Sequence, residues 1–161
     1  MHQPSSEGSR RVEVAAGLLR DGDLVLVCQR AATGSHPLRW EFPGGKLEPG
    51  ESVEACLVRE LHEELGIAAS VGARIASVEH RYPQGPHVRV HFHAVVVQAG
   101  TIENRVFARI VWHPRHRLDE LDFLDADRPL IAILRREAQL DLAARREAQL
   151  DLAAARPILE R

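Results

Sequence analysis

The sequence predicts one α/β domain in which a mixed β-sheet carries helices and a long helix ends the chain. The chain has 161 residues, which is the size of a single domain with a full hydrophobic core. Runs rich in β-formers and bounded by turn residues surround one strongly helical segment. The resulting element order, β-β-α-β-β-β-α, is typical of a mixed sheet with helices packed on it.

The first structured element is a predicted hairpin. Residues 1 to 11 are polar and contain Ser, Gly and Pro, so we expect a flexible N-terminal tail. From Val12, the runs VEVAAGLLR and LVLVCQR read as strands joined by Asp21 and Gly22, a strong hairpin signal. The following stretch, AATGSHPLRWEFPGG, has the Gly, Pro and Ser content of a loop.

The next element is a helix that begins after Ser52, a suitable N-cap, and ends at Gly66. Leu57, Leu61 and Leu65 recur at every fourth position, so this flank is expected to pack on the sheet. Beyond the helix, ASVGARIASVEHRY and HVRVHFHAVVVQ read as strands around the turn PQGP, and VFARIVW predicts another short strand.

The last segment is a tandem repeat, because RREAQLDLAA occupies residues 135 to 144 and again residues 145 to 154. Ten residues fall about 80° short of three whole helical turns, so the two copies must make different contacts. We assign the domain to residues 12 to 144 and a repeated helical extension to residues 145 to 161. A surface helix that extends past the domain and a helix that docks on a second subunit are both compatible with this pattern, so the protein is a monomer or a homodimer.

Charge and composition argue against several classes of partner. The net charge is −2 and 45% of the residues are hydrophobic, so no long-range field attracts nucleic acid or anionic lipid. No apolar run approaches a membrane span or a secretory signal, and we expect a cytoplasmic protein with no membrane partner. Cys28 and Cys56 read as reduced core thiols.

The predicted helix gathers Glu60, Glu63 and Glu64 on one face, since positions i, i+3 and i+4 are neighbours. Their mutual repulsion would be relieved by a hard divalent cation such as Mg²⁺, which takes oxygen ligands together with substrate phosphates. A solvated acidic face is the alternative that the three glutamates alone leave open. Arg59 and Glu51 supply a candidate ion pair between the helix and the preceding loop.

The spacing around this helix is more specific than its charge. From Gly45 the chain gives five residues, Glu51, seven residues and then RELHEELGI, which resembles the signature box of the Nudix hydrolases at every specified position. The matched positions are Gly45, Glu51, Arg59, Glu60, Leu61, Glu63, Glu64, Gly66 and Ile67.

The resemblance implies a Nudix-type α/β/α sandwich that uses Mg²⁺ or Mn²⁺ to hydrolyse a nucleoside diphosphate linked to another group. Glu60 is a candidate general base, with a pure ligand role as the alternative, and Glu63 and Glu64 are the firmer metal ligands. The implied metal ligands are Gly45, Glu60, Glu63 and Glu64, and the implied catalytic set is Glu60, Glu63, Glu64, Arg59 and Glu51.

Residues 12 to 135 are further similar to the MutT branch and its CTP pyrophosphohydrolase-like relatives, through WEFPGGK, QRA and DADRP. The resemblance implies cleavage of a nucleoside triphosphate such as 8-oxo-dGTP or (d)CTP to the monophosphate and pyrophosphate, in sanitation of the nucleotide pool. It places Arg30 at the nucleotide and Phe42 against the base. The alternatives are another nucleoside diphosphate derivative, such as a dinucleoside polyphosphate or a nucleotide sugar, and a nucleotide-sensing module without turnover.

Two positions depart from the MutT pattern. Asp127 stands where strict MutT enzymes have asparagine, and an ionised aspartate only accepts hydrogen bonds, which favours a base that presents N–H groups. Asp127 is also a candidate N-cap of the last helix, and the two roles are compatible. Val106 occupies the place of a later metal-binding carboxylate, with Glu103 as the nearby candidate to replace it.

Overall fold

The core of the protein is a mixed β-sheet, seen in a computed structural model that describes the backbone of residues 11 to 154 and the side chains of residues 11 to 149. Among these residues there are seven strands. They are β1 (Val12–Asp21), β2 (Leu24–Gln29), β3 (Trp40–Glu41), β4 (Gly44–Lys46), β5 (Ala68–Arg81), β6 (His87–Ala99) and β7 (Arg109–Pro114). The predicted N-terminal tail lies outside the described residues except for Arg11.

Two α-helices complete the described fold, α1 (Val53–Leu65) and α2 (Arg128–Ala154). Short 3₁₀ segments at Arg115–Glu120 and Asp125–Asp127 connect the last strand to α2. None of the described helices combines the length and the apolar character that a membrane span requires.

Strand pairing explains why the sheet is mixed. The order is β3-β2-β1-β6-β5, with β4 also pairing with β1 and β7 with β2. β1 and β6 run parallel, whereas the other pairs are antiparallel. The β1–β2 hairpin turns at Gly22, whose φ of 56° suits glycine, as the Asp-Gly signal predicted.

The two helices lie on opposite faces of the sheet. Successive side chains of a strand point to opposite faces, so Ala16 and Leu18 of β1 join the core cluster that contains α2. Ala15 and Leu19 join the second cluster, which contains the leucines of α1. This arrangement confirms the predicted α/β/α architecture.

The predicted boundaries of α1 are confirmed. The Ser52 hydroxyl accepts a hydrogen bond from the Ala55 N–H at 3.1 Å, and Gly66 adopts the left-handed conformation and donates its N–H to the His62 carbonyl. Leu57, Leu61 and their neighbour Leu65 are fully buried, as their spacing predicted.

Two local predictions were wrong. The segment predicted as a loop before α1 contains β3 and β4, which are only two and three residues long and pair with β2 and β1. The strand predicted from Val106 begins instead at Arg109. The intervening chain is held as a turn, because the Asn104 side chain accepts from the Phe107 N–H and donates to the Phe107 carbonyl, both at 2.9 Å.

α2 runs without interruption through both copies of the repeat, and the copies make different contacts in the part whose side chains are described. Arg135 of the first copy pairs with Asp119 at 3.0 Å, whereas its counterpart Arg145 pairs with Asp23 at 2.8 Å. Ala138 is buried. Its counterpart in the second copy is exposed. The division at residue 144 stays a prediction, and residues 155 to 161 of the predicted extension lie outside the described residues.

Candidate active site

Arg59 organises the acidic face of α1. Its Nε and Nη2 atoms lie 2.9 and 3.0 Å from the two carboxylate oxygens of Glu51, so the predicted ion pair is present and bidentate. Its Nη1 atom lies 2.8 Å from Glu60 Oε1 and 3.5 Å from Glu63 Oε2. One guanidinium therefore links the loop before α1 to two of the three clustered glutamates.

The glycines that precede this loop let the backbone approach the same carboxylates. The Gly44 N–H donates to Glu64 Oε2 at 3.1 Å. A Cβ atom on Gly45 would lie 2.3 Å from Glu60 Oε1, so no other residue fits there unless Glu60 moves. Gly44 and Gly45, together called the glycine turn below, begin β4, which pairs with the central strand β1. The sheet therefore fixes them beside the acidic face of α1.

The acidic cluster is electrostatically strained without a cation. Burial raises the pKa of Glu64 to about 8, and the charges of Glu60, Glu41 and Glu63 add to this effect, while the Gly44 N–H opposes it. By contrast, the hydrogen bond from Arg59 lowers the pKa of Glu51 to about 2. The part of the cluster that Arg59 does not neutralise is therefore the part around Glu64.

The residues present suit a hard divalent cation by donor type. Within the described chain, no group of three or more acidic, His or Cys side chains is already gathered at metal-binding distance. The reason is that Glu60 is directed to Arg59, Glu63 has a 57% exposed side chain, and Glu64 is bonded to the glycine turn. Rotation of these three carboxylates would supply oxygen ligands beside the Gly45 carbonyl, and oxygen is what Mg²⁺ and Mn²⁺ prefer.

A cleft of about 430 Å³ opens beside the glycine turn, within the usual size range of ligand pockets. Its floor comes from β1, β4 and β6, and its rim from the loop before β3, the β5–β6 turn and the segment before α2. The lining residues that carry chemistry are Arg30, His36, Glu41, Lys46, Tyr82 and Asp127. Gly44 and Gly45 also line this cleft, so the glutamates that they approach lie beside the residues expected at the nucleotide.

Arg30, predicted to meet the nucleotide, lines this cleft, but its charge is already paired. Its Nη1 atom lies 2.8 Å from Glu41 Oε2, and its other nitrogens bond to the carbonyl and hydroxyl of Ser35. Sequence reasoning missed Glu41, whose pKa is raised by burial despite the bond to Arg30. Its place directly before Phe42 in WEFPGG was the available signal.

Phe42 borders the cleft but is only 3% exposed. Its ring packs against Phe92 and Phe123, with ring centroids 6.1 and 5.5 Å away. A base stacked on Phe42 would meet only a small part of the ring. The more open ring is that of Tyr82, which is half-buried and packs against His36 with ring centroids 4.7 Å apart.

Asp127 lies at the base of the cleft, immediately before α2, and is 5% exposed. Burial raises the pKa of its carboxyl well above the usual range, with a further contribution from Glu41. In the protonated form a carboxyl donates one hydrogen bond and still accepts others. The role of Asp127 at the base stays a prediction, and the raised pKa adds the protonated form to the forms in which it could act.

Comparison with known proteins defines the class. Residues 9–134 match the family model described as the NUDIX domain. The chain belongs to the Nudix family and is a hydrolase related to nucleoside triphosphate diphosphatases.

Individual relatives point to one branch of that family. The chain is 36% identical over 122 residues to the CTP pyrophosphohydrolase of Escherichia coli K12, covering 76% of this chain and 90% of that protein. It is 31% identical over 128 residues to the 8-oxo-dGTP diphosphatase of the same strain, covering 79% of this chain and 98% of that protein.

Solved structures agree with the fold. The solution structure of the E. coli ORF135 protein superposes with a TM-score of 0.65 at 33% identity, covering 92% of this chain and 94% of that one. The crystal structure of the MutT protein from Methanosarcina mazei Go1 gives a TM-score of 0.73, covering 83% of this chain and 99% of that one, and at 19% identity it supports the fold alone.

Proposed function

We propose that the protein is a Mg²⁺-dependent nucleoside triphosphate pyrophosphohydrolase of MutT type, which cleaves (d)CTP or 8-oxo-dGTP to the monophosphate and pyrophosphate. The observation that carries this proposal is that Gly44 and Gly45 line a nucleotide-sized cleft and, on their other side, meet the carboxylates of Glu64 and Glu60. The two E. coli relatives, named for CTP and for 8-oxo-dGTP, support the same pair of substrates. The role that follows is removal of unwanted nucleotides from the precursor pool.

Glu60, Glu63, Glu64 and the Gly45 carbonyl are the groups that would hold the metal. When bound, Mg²⁺ or Mn²⁺ would neutralise phosphate charge and lower the pKa of the attacking water. Charge repulsion between these three carboxylates and the substrate phosphates makes such an ion necessary.

The remaining work falls to the protein side chains. Arg59 fixes Glu60 through the 2.8 Å ion pair and fixes the loop through Glu51. Glu60 lies against the glycine turn at the end of the cleft, where it can accept a proton from water that attacks the phosphorus. We assign the general base to Glu60, with Arg59 and Glu51 as residues that orient it.

Asp127 is proposed to recognise the base. A protonated carboxyl can donate to N3 of cytosine and accept from its exocyclic amine, and the same pair of bonds suits the N7–H and O6 edge of 8-oxoguanine. The chemistry of Asp127 is thus compatible with both substrates. Tyr82 and Phe42 would flank the base, and Arg30 would meet the nucleotide once it exchanges part of its bonding with Glu41.

The test is turnover of CTP, dCTP, 5-methyl-dCTP, dGTP and 8-oxo-dGTP by purified protein with Mg²⁺, following pyrophosphate and inorganic phosphate separately. We expect pyrophosphate from cytidine nucleotides or from 8-oxo-dGTP and no direct release of phosphate. Absence of turnover on all five would refute the proposal and favour dinucleoside polyphosphates or nucleotide sugars. Binding without turnover of any of these classes would favour a nucleotide sensor.

A further inference from the structure

The loop between β6 and β7 binds the C-terminal end of α1. The Glu103 N–H donates to the Leu65 carbonyl at 2.9 Å, and the Arg105 N–H donates to the Glu64 carbonyl at 3.1 Å. The Arg105 guanidinium adds a bond from Nη1 to the His62 carbonyl at 3.2 Å. Three carbonyls of the last turn of α1 therefore have partners in this one loop.

Two glycines permit this close approach. A Cβ atom on Gly66 would lie 2.5 Å from Arg105 Nη2, and one on Gly100 would lie 2.9 Å from the Gly66 carbonyl oxygen. Both glycines have positive φ, 71° and 92°, which side chains disfavour. The guanidinium consequently lies against Gly66 at the C-terminal end of the helix, where a positive charge is favourable.

The loop is itself anchored, so it can restrain the helix rather than move with it. Asn104 closes its turn by two bonds to the backbone of Phe107. Ile102 and Phe107 pack against the core cluster that contains the α1 leucines. Arg105 is thus presented from a loop with its own hydrophobic and hydrogen-bonded support.

The restrained turn is the one that carries Glu63 and Glu64. The last turn of a helix frays unless its free carbonyls are bonded, and fraying would move both carboxylates. In this loop Val106 is 52% exposed, and Glu103 pairs with Arg105 at 3.3 Å. Glu103, the predicted replacement for a carboxylate at Val106, is therefore paired with Arg105, and the charged group that this loop directs to the end of α1 is the Arg105 guanidinium.

We propose that Arg105 is a positioning residue for the metal site, acting by holding the last turn of α1 so that Glu63 and Glu64 keep the geometry that a divalent ion requires. This inference rests on the proposed function, because it takes those two carboxylates as ligands. Arg105 is not itself proposed as a ligand of the metal or of the substrate.

Binding of Mn²⁺ without substrate tests the inference, measured by the electron paramagnetic resonance signal of free Mn²⁺. We expect Arg105→Ala to raise the dissociation constant three- to tenfold, and Arg105→Lys, which keeps the charge but loses the fork, to fall between it and the wild type. The matched control is Arg117→Ala, which removes another exposed arginine with a nearby acidic partner, Glu120, at 2.7 Å. It should bind Mn²⁺ as the wild type does.

Hydrogen exchange separates positioning from general destabilisation. In Arg105→Ala the amides of residues 63 to 66 should exchange about tenfold faster, while those of β1 should not change. If Arg105→Ala binds Mn²⁺ as tightly as the wild type, the inference is overturned and the proposed function stands. If the wild type binds no Mn²⁺, both fail. Should Arg105→Ala not fold, Asn104→Ala loosens the same loop while keeping the arginine, and unchanged Mn²⁺ affinity there would count equally against the inference.

Discussion

Replacing Glu64 with glutamine should make the metal-free protein more stable and the enzyme nearly inactive. Glutamine keeps the size of the side chain and an oxygen that can accept from the Gly44 N–H, but it removes the buried charge. Because the same change acts in opposite directions on stability and on activity, it separates an electrostatic role from a packing role.

The magnitude follows from the pKa of Glu64, which is about 8 in the folded protein against an ordinary 4.5. Between these values the folded wild type holds a proton that the unfolded chain releases, so its stability falls relative to Glu64→Gln as the pH rises. The difference between the two pKa values corresponds to about 5 kcal/mol in the free energy of unfolding, at ~1.4 kcal/mol per pH unit. Residual solvent exposure of Glu64 reduces the expected difference between the two proteins to about 2 to 4 kcal/mol. The difference should be near zero below pH 4.5 and level off above pH 8.

The assay is urea unfolding of both proteins in EDTA from pH 5 to pH 9, together with turnover in Mg²⁺. Saturating Mg²⁺ should raise the free energy of unfolding of the wild type more than that of Glu64→Gln, and kcat/KM should fall at least about 100-fold in the variant. Glu54→Gln is the matched control, since Glu54 lies exposed in the first turn of the same helix. It should change stability by only a few tenths of a kcal/mol.

Two results would refute this reasoning. A metal-free Glu64→Gln protein that is less stable than the wild type at pH 8 would show that Glu64 is not electrostatically strained. Wild-type turnover in the variant would remove Glu64 from the metal ligands. The two readouts are independent, so each can fail alone.

Three further predictions concern the base site, the core and the ion pair. Asp127→Asn can donate and accept hydrogen bonds like a protonated acid, so its kcat/KM should stay within about threefold of the wild type, whereas the kcat/KM of Asp127→Leu should fall 10- to 100-fold. A large fall in Asp127→Asn would show that the ionised carboxylate is required. Leu61→Ala removes a fully buried side chain and should lower the free energy of unfolding by about 3 kcal/mol and Tm by roughly 6 to 12 °C. The control Leu140→Ala, at an exposed position, should lower the free energy of unfolding by less than about 0.5 kcal/mol. Equal effects of the two variants in calorimetry would contradict the assigned core. The hydrogen bond from Arg59 lowers the pKa of Glu51 to about 2. The extra stability of the wild type over Glu51→Gln should therefore be fully present above about pH 5 and disappear as the pH falls towards 2. A stability difference that does not change with pH would rule out the ion pair as its source.

Much of the site was readable from sequence because its signals are local. The caps Ser52 and Gly66, the leucine spacing and the three glutamates of α1 all act within one helix, and the structure has them as predicted. The ion pair of Arg59 with Glu51 spans only eight residues. The metal and catalytic roles drawn from the Nudix resemblance remain predictions that the variants above test.

Other parts of the site depend on pairs distant in sequence. β3 was missed because it is only two residues long and is stabilised by pairing with β2 and by the bridge from Trp40 to Phe123. The proximity of Glu41 to Asp127, and the effect of burial on both, follow from packing that no short pattern contains. The hydrogen bond from Arg105 to the His62 carbonyl of α1 joins residues 43 positions apart.

The tandem repeat shows most clearly which features follow from the sequence and which depend on the tertiary structure. Sequence determined by itself that two identical decapeptides lie on one helix and, by helical geometry, that they cannot make the same contacts. Only the tertiary structure decided which contacts each makes: Arg135 binds Asp119, and its copy Arg145 binds Asp23. The physical reason is that local propensity depends on the neighbouring residues, which are the same, whereas each partner depends on where the surrounding chain lies, which is not.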